Sequence, residues 1–302
     1  MIRKSLFGPY DQYTISNDVL EVSVITLGAT VVSLKYLGQE CAVCYKTPED
    51  ALAGHGFLFK SVGRYANRIG GAAFTLEGTR YELPANENQN QLHGGPDSYD
   101  KRVWTAEVLS DEKVKFSVFS PDGDNGYPGN LTMTVAFSVS GGTLRIDFGG
   151  VTDKTTVFAP TTHPYFNLDG SGSVLDAALQ IHAAGHLDVD SELIPTGKIL
   201  PCEDRFDFSS SRRITYDFDD CFVTPEEHAC TLTMGKRKME VWTDFPAIQV
   251  YTGAKLPAPN HANQGIAIEP EFYPDSPNHA EFPSTVLKPG EEFAKYVEYR
   301  FS

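Results

Sequence analysis

Apolar residues recur at every second position over much of this chain, the pattern of strands that bury one face. The clearest run is "LTMTVAFSVSGGTLRIDF". There Leu131, Met133, Val135, Phe137 and Val139 share a face, Gly141 and Gly142 interrupt, and Leu144, Ile146 and Phe148 resume the period. A Gly-Gly between two such runs predicts a hairpin. "VKFSVFS" alternates Val114, Phe116 and Val118, and "CTLTMGKRKMEVWTDF" reads as another hairpin with "GKRK" as its turn. Near the amino terminus, "LEVSVITLGATVVSLKYLG" sets Val22 and Val24, then Val32, Leu34 and Tyr36, on alternating positions around Gly28. This is a pair of half-buried strands or one strand with a bulge. The helical period is found in one short stretch, "TPEDALAG", where Thr47 is placed to cap and Pro48 to occupy the first helical position.

No low-complexity linker divides the chain, and no repeat of about 20–50 residues marks a solenoid or propeller. Long antiparallel strands throughout must bury their apolar faces against one another, so the expected fold is all-β, a large antiparallel β-sandwich forming a single domain over residues 1–302.

Charge narrows the partners. The 25 basic and 40 acidic side chains leave a net charge of −15, so the basic footprint that nucleic acid or an anionic membrane demands is missing. A small neutral ligand fits better. No apolar stretch has the length of a signal peptide or a bilayer span. Five cysteines, an odd number, include a Cys41-x-x-Cys44 without a second pair, and are read as free thiols of a cytoplasmic protein. The "NLT" at Asn130 is then an idle glycosylation match. The loop "SPDGDNGYPGN" invites a calcium reading that fails, because Met133 stands where an EF-hand needs its glutamate. A monomer or weak homodimer is expected.

Chemistry must come from histidines and carboxylates. "NQLHGG" puts His93 before two glycines, where the backbone can turn sharply. "APTTHPYFNLDG" puts His163 before Pro164, at the end of an extended segment, and His279 follows "DSPN" in a loop. Taken singly, a hydrogen-bonded structural histidine is the commoner case. No H-x-H, H-E-x-x-H, G-x-S-x-G or P-loop spacing is present. Arg64 and Arg68 of "GRYANRIGG" are expected to snorkel or pair with carboxylates. In "QGIAIEPEFYPDSPNH", Glu269 and Glu271 share one face of a strand. On that segment alone, an edge strand with two solvated acids is the favoured reading, against one acid poised for proton transfer.

Several segments together resemble one family. "GRYANRIGGAAFTLEGTRYELPANENQNQLHGG", "THPYFNL", "PAIQVYTG", "IEPEFYPDSPNH" and "VLKPGEEFAKYVEYRF" look like the ordered motifs of aldose 1-epimerases, also called galactose mutarotases, from about Gly63 to the end. The resemblance implies a large β-sandwich (the galactose mutarotase-like supersandwich) that interconverts the α and β anomers of a free aldose such as glucose or galactose, with no metal or organic cofactor. It implies Glu269 as catalytic base and His163 as catalytic acid, with Asn67, Arg68, His93, Asp219 and Gln249 binding the sugar. Two departures stand out. Asp220 follows Asp219 where the family often has His, which leaves the two aspartates in competition. Glu271 stands where the family usually has Gln, and so close a second carboxyl raises the pKa of one of the pair.

The implied reaction opens the sugar ring: a base takes the proton from the C1 hydroxyl while an acid protonates the ring oxygen. Both groups should then have pKa values drawn toward neutrality. Three rivals remain: an epimerase of a phosphorylated hexose, which needs a cluster of Arg or Lys; a glycosidase, whose carboxylates must flank a glycosidic bond; and a non-catalytic sugar-binding module, marked by loss of His163 or Glu269.

Overall fold

The computed structural model describes residues 1–170 and 172–302. Three large sheets carry the chain. A five-stranded amino-terminal sheet runs Ile2–Phe7, Tyr10–Ser16, Leu20–Ile25, Thr30–Tyr36 and Gln39–Glu40. A nine-stranded sheet is ordered Thr105–Ser110, Lys113–Ser120, Leu131–Ser140, Thr143–Thr152, Phe293–Phe301, Arg237–Thr243, His228–Met234, Ala178–Ile181 and Arg212–Arg213. A six-stranded sheet is ordered Tyr165–Phe166, Ile266–Glu271, Ala247–Tyr251, Asp219–Val223, Gly185–Val189 and Pro195–Leu200. Their ladders are antiparallel.

One core joins all three: Val22 and Val24 from the first, Phe116, Val135 and Ile146 from the second, and Phe222, Ile248 and Ile268 from the third. The expected antiparallel β-sandwich is the observed architecture. The Gly141-Gly142 hairpin forms with Ser140 opposite Thr143, and Leu131–Ser140 buries alternate residues as its sequence requires. Pro48–Ala53 is helical, Thr47 accepts a hydrogen bond from the Asp50 amide at 3.1 Å, and Gly54 closes the helix at φ 70°. No described helix is long and apolar enough to cross a membrane.

Three expectations are corrected. The ladder between Leu20–Ile25 and Thr30–Tyr36 slips between Ser23 and Val24, pairing Val24 with Val31. This bulge turns Val31 into the main core beside Leu34 and sends Val32 to a second cluster with Ile25 and Leu27. In "GKRK" the turn is shorter than expected: Met234 faces Arg237, so Gly235 and Lys236 alone make it, with Gly235 at φ 58°. Finally, Ile266–Glu271 is no edge strand. It lies between two neighbours and every residue in it is buried.

Candidate active site

The site begins on one face of the six-stranded sheet. Ile266, Ile268, Ile248, Val250 and Phe222 point into the main core. The two-residue period therefore sends Glu269, Glu271, Gln249, Tyr251, Asp219 and Cys221 to the opposite face. Register sets Glu269 against Gln249 and Asp219 against Tyr251. Gln249 Nε2 donates to Asp219 Oδ1 at 2.7 Å. Asp220 faces the other way, 3.5 Å from Arg205 Nη2, and does not line the cavity, so alternation puts Asp219, and not Asp220, on the cavity wall.

Irregular chain covers this face, which is why acids expected in solvent are buried: Glu269 is 2 % exposed and Glu271 0 %. Asn67 (φ 59°) and His93 (φ 50°) both adopt left-handed backbone. The turn after His93 closes only with glycine, because a Cβ on Gly94 would lie 2.2 Å from the Gly63 carbonyl oxygen. Asn67 is the hub. Its amide N–H donates to His93 Nδ1 at 3.1 Å, its Nδ2 donates to Glu271 Oε1 at 2.9 Å, and its Oδ1 accepts from the Arg68 amide at 2.9 Å. A His93 Nδ1 that accepts leaves the ring proton on Nε2, a fixed donor.

Arg68 forks onto Glu87, Nε to Oε2 at 2.7 Å and Nη2 to Oε1 at 3.0 Å. Arg64 meets neither expected fate. Fully buried and outside the cavity, it donates to the carbonyls of Pro128, Gly129 and Ser120 and to the hydroxyls of Ser120 and Thr156. Its hydrogen bond to the Ser120 hydroxyl leads on to Asp124, with which that hydroxyl also bonds.

His163 is pinned by backbone bonds on both sides, its N–H to Lys60 O at 2.9 Å and its C=O from the Phe59 N–H at 2.8 Å. Its ring stacks between Phe57 and Tyr165, with centroids 6.0 and 5.0 Å away, and meets His93 edge-on at 5.3 Å. Nε2 lies 3.4 Å from Glu269 Oε1. All seven expected site residues, Asn67, Arg68, His93, His163, Asp219, Gln249 and Glu269, line one cavity of about 240 Å³. That is smaller than the ~300–1,000 Å³ pockets that take drug-sized ligands, and suits a single sugar ring.

Burial governs the electrostatics. It pushes His163 down to about 3 and His93 well below the usual imidazole value. Burial also raises Glu269 well above the carboxylate range, and the nearby Glu271 and Asp219 raise it further. Glu271 rises to about 8 for the same leading reason, opposed by the Asn67 hydrogen bond. The glutamate moves as the sequence reading required. The histidine does not move toward neutrality, because aromatic walls desolvate it and Glu269 is not held ionised beside it.

The sequence reading missed part of the lining. Tyr165 and Tyr251 stand two residues beyond His163 and Gln249, within reach of a period-two argument. Glu87 and Leu193 carry no such signal, since both reach the cavity from loops. Gln249 Oε1 and Glu269 Oε2 are buried without a hydrogen-bond partner among the described residues, an arrangement that a ligand rich in hydroxyls would complete. Among the described residues no three His, Cys, Asp or Glu side chains are grouped to hold a metal ion.

The aldose 1-epimerase profile matches residues 11–300. The chain belongs to the aldose 1-epimerase family. Relatives in this family include the galactose mutarotase of Mus musculus, 33 % identical over 98 % of this chain and 95 % of that one. The aldose 1-epimerase of Escherichia coli is 36 % identical over 97 % of this chain and 95 % of its own length. Among solved structures, an aldose epimerase homologue from C. elegans superposes with a TM-score of 0.93 at 28 % identity, covering 97 % of this chain and 99 % of that one. A galactose 1-epimerase from Lactobacillus acidophilus gives 0.89 at 28 % identity, covering 97 % and 94 %. Family membership makes the chain an enzyme of the isomerase type and agrees with the sandwich described above.

Proposed function

We propose that the cavity interconverts the α and β anomers of a free aldose, galactose or glucose being the fitting hexoses, with Glu269 and His163 as its proton-exchanging couple. The observation that carries this reading is the 3.4 Å approach of His163 Nε2 to Glu269 Oε1 inside a sugar-sized cavity. Sugar hydroxyls donating to Glu269 favour its ionised form and leave the shared proton on His163. Glu269 then takes the proton of the C1 hydroxyl as His163 protonates the ring oxygen, and the C1–O5 bond breaks to give the open-chain aldehyde. Ring opening thus ends with Glu269 protonated and His163 neutral. That is the protonation state toward which burial already drives both side chains, so the desolvated site favours the open-chain stage. Rotation about C1–C2 presents the other carbonyl face, and the same transfers in reverse close the ring. Each positioned transfer contributes ~10²–10⁴-fold.

Arg68, the His93 Nε2 proton, Asp219 and Gln249 hold hydroxyls common to both anomers and leave C1 free to turn. A phosphorylated hexose is the second reading, and the lining argues against it. Arg64 is elsewhere, Arg68 is committed to Glu87, and Lys255 is the one lysine among the described residues of the wall. The test is polarimetry of freshly dissolved α-D-galactose, α-D-glucose and glucose 6-phosphate. The reading expects a faster drift to equilibrium for the free sugars; acceleration of the phosphate ester alone would move the protein to the second reading.

A further inference from the structure

Glu271 lies behind the cavity wall, is not itself among the lining residues, and is fully buried. Its Oε1 accepts from Asn67 Nδ2 at 2.9 Å, and its Oε2 is buried with no hydrogen-bond partner among the described residues. The groups facing it are Glu269 on its own strand, Cys221 and Asp219 on the strand Asp219–Val223, and Tyr65 and Arg68 on the covering segment. Only Arg68 among these is cationic, and its guanidinium is forked onto Glu87. An ionised Glu271 would therefore hold a negative charge on an oxygen with no hydrogen-bond donor among the described residues, its one facing cation already forked onto Glu87, two residues from a second buried carboxyl on the same strand face. Burial of such a pair as two anions is strongly disfavoured, so one proton stays between them.

We propose that Glu271 is a positioning residue that works as a neutral carboxylic acid: it keeps a proton while Glu269 acts as base, and in that form holds the side chain of Asn67, whose Oδ1 accepts from the Arg68 amide and whose backbone N–H holds His93 Nδ1. This rests on the proton-exchanging couple proposed above. A protonated carboxyl offers Asn67 the same carbonyl acceptor that a glutamine would, and does so without adding charge beside Glu269. Loss of that proton at alkaline pH places a second anion under the site and removes the single-charge condition that the couple needs. Glu271 thereby sets the alkaline limit of the enzyme.

The test compares the native chain with Glu271→Gln and Glu271→Ala. The amide keeps the shape and the acceptor, so Glu271→Gln should hold kcat/KM at pH 7 within about threefold. It should also lack the fall expected of the native chain above about pH 8. Glu271→Ala leaves the Asn67 amide unpaired, and should lose roughly tenfold or more at every pH, chiefly through KM. A Glu271→Gln profile whose alkaline limb coincides with the native one overturns the proposal, as does a loss equal to that of Glu271→Ala.

Unfolding in urea gives a readout independent of turnover. A carboxyl that stays protonated in the folded state binds more protons than its unfolded counterpart between the unfolded value of 4.5 and about 8, so native stability falls as pH rises through that window. The midpoint gap between Glu271→Gln and the native chain should widen from pH 5 to pH 8; a constant gap overturns the buried proton. Full activity of Glu269→Gln would instead sink the catalytic couple while leaving this unfolding test standing.

Discussion

Replacing Glu87 by alanine isolates the role of Arg68. The fork joins Arg68 Nε to Glu87 Oε2 at 2.7 Å and Nη2 to Oε1 at 3.0 Å, with the arginine side chain 10 % exposed and the glutamate 30 %. Hydrogen bonds between charged groups contribute ~1.5–3 kcal/mol each, and partial exposure of Glu87 to water argues for the low end. Glu87→Ala also leaves a nearly buried guanidinium free to swing from the cavity wall. We take about 1.5–2 kcal/mol as the loss of sugar binding, which at ~1.4 kcal/mol per tenfold is roughly 10–30-fold. The loss should fall on KM if Arg68, as proposed, grips hydroxyls present in substrate and transition state alike. Glu87→Gln, which keeps one acceptor, should lose only about 3–5-fold. Steady-state mutarotation across a range of sugar concentrations, followed by polarimetry, separates KM from kcat. An unchanged KM in Glu87→Ala would refute the idea that this carboxylate holds Arg68 for the sugar.

Other outcomes follow from the same coordinates. Arg64→Leu strips donors from buried carbonyls and hydroxyls of three segments, and should cost at least ~3 kcal/mol in urea unfolding. Unfolding at different pH values should show His163. Its folded pKa of about 3 lies below the unfolded 6.5, so the unfolded state binds the extra proton and stability is lost as pH falls from 6.5 toward 3. That single group steepens the acid limb by about 1.4 kcal/mol per pH unit, and His163→Asn should flatten it by as much.

The sequence made the strands legible because their apolar period is strict; Leu131–Ser140 and Lys113–Ser120 bury the residues that alternation names. It misplaced Val32, since a bulge needs a partner strand to reveal it. The candidate residues that family motifs marked share one cavity, and the fold then did what no local pattern could, carrying Asn67 to within 2.9 Å of Glu271 across a separation of 204 residues. Burial of Glu269 and Glu271 was misjudged from their own segment, because the cover comes from residues around Phe57, Asn67 and His93. The low pKa of His163 was equally hidden, for it depends on the rings of Phe57 and Tyr165. Glu87, set in "NENQN", offered no period at all.

The claim at the centre is that Glu269 and His163 work as one couple. Its most direct test is the initial drift in optical rotation of a pure α-aldose with the native chain, Glu269→Gln, His163→Asn and the double variant, each checked for native circular dichroism. Each single variant should lose at least ~10²-fold, and the double variant little more than either alone, since the two groups act on one proton circuit. A Glu269→Gln enzyme that turns the sugar over at the native rate would contradict the account.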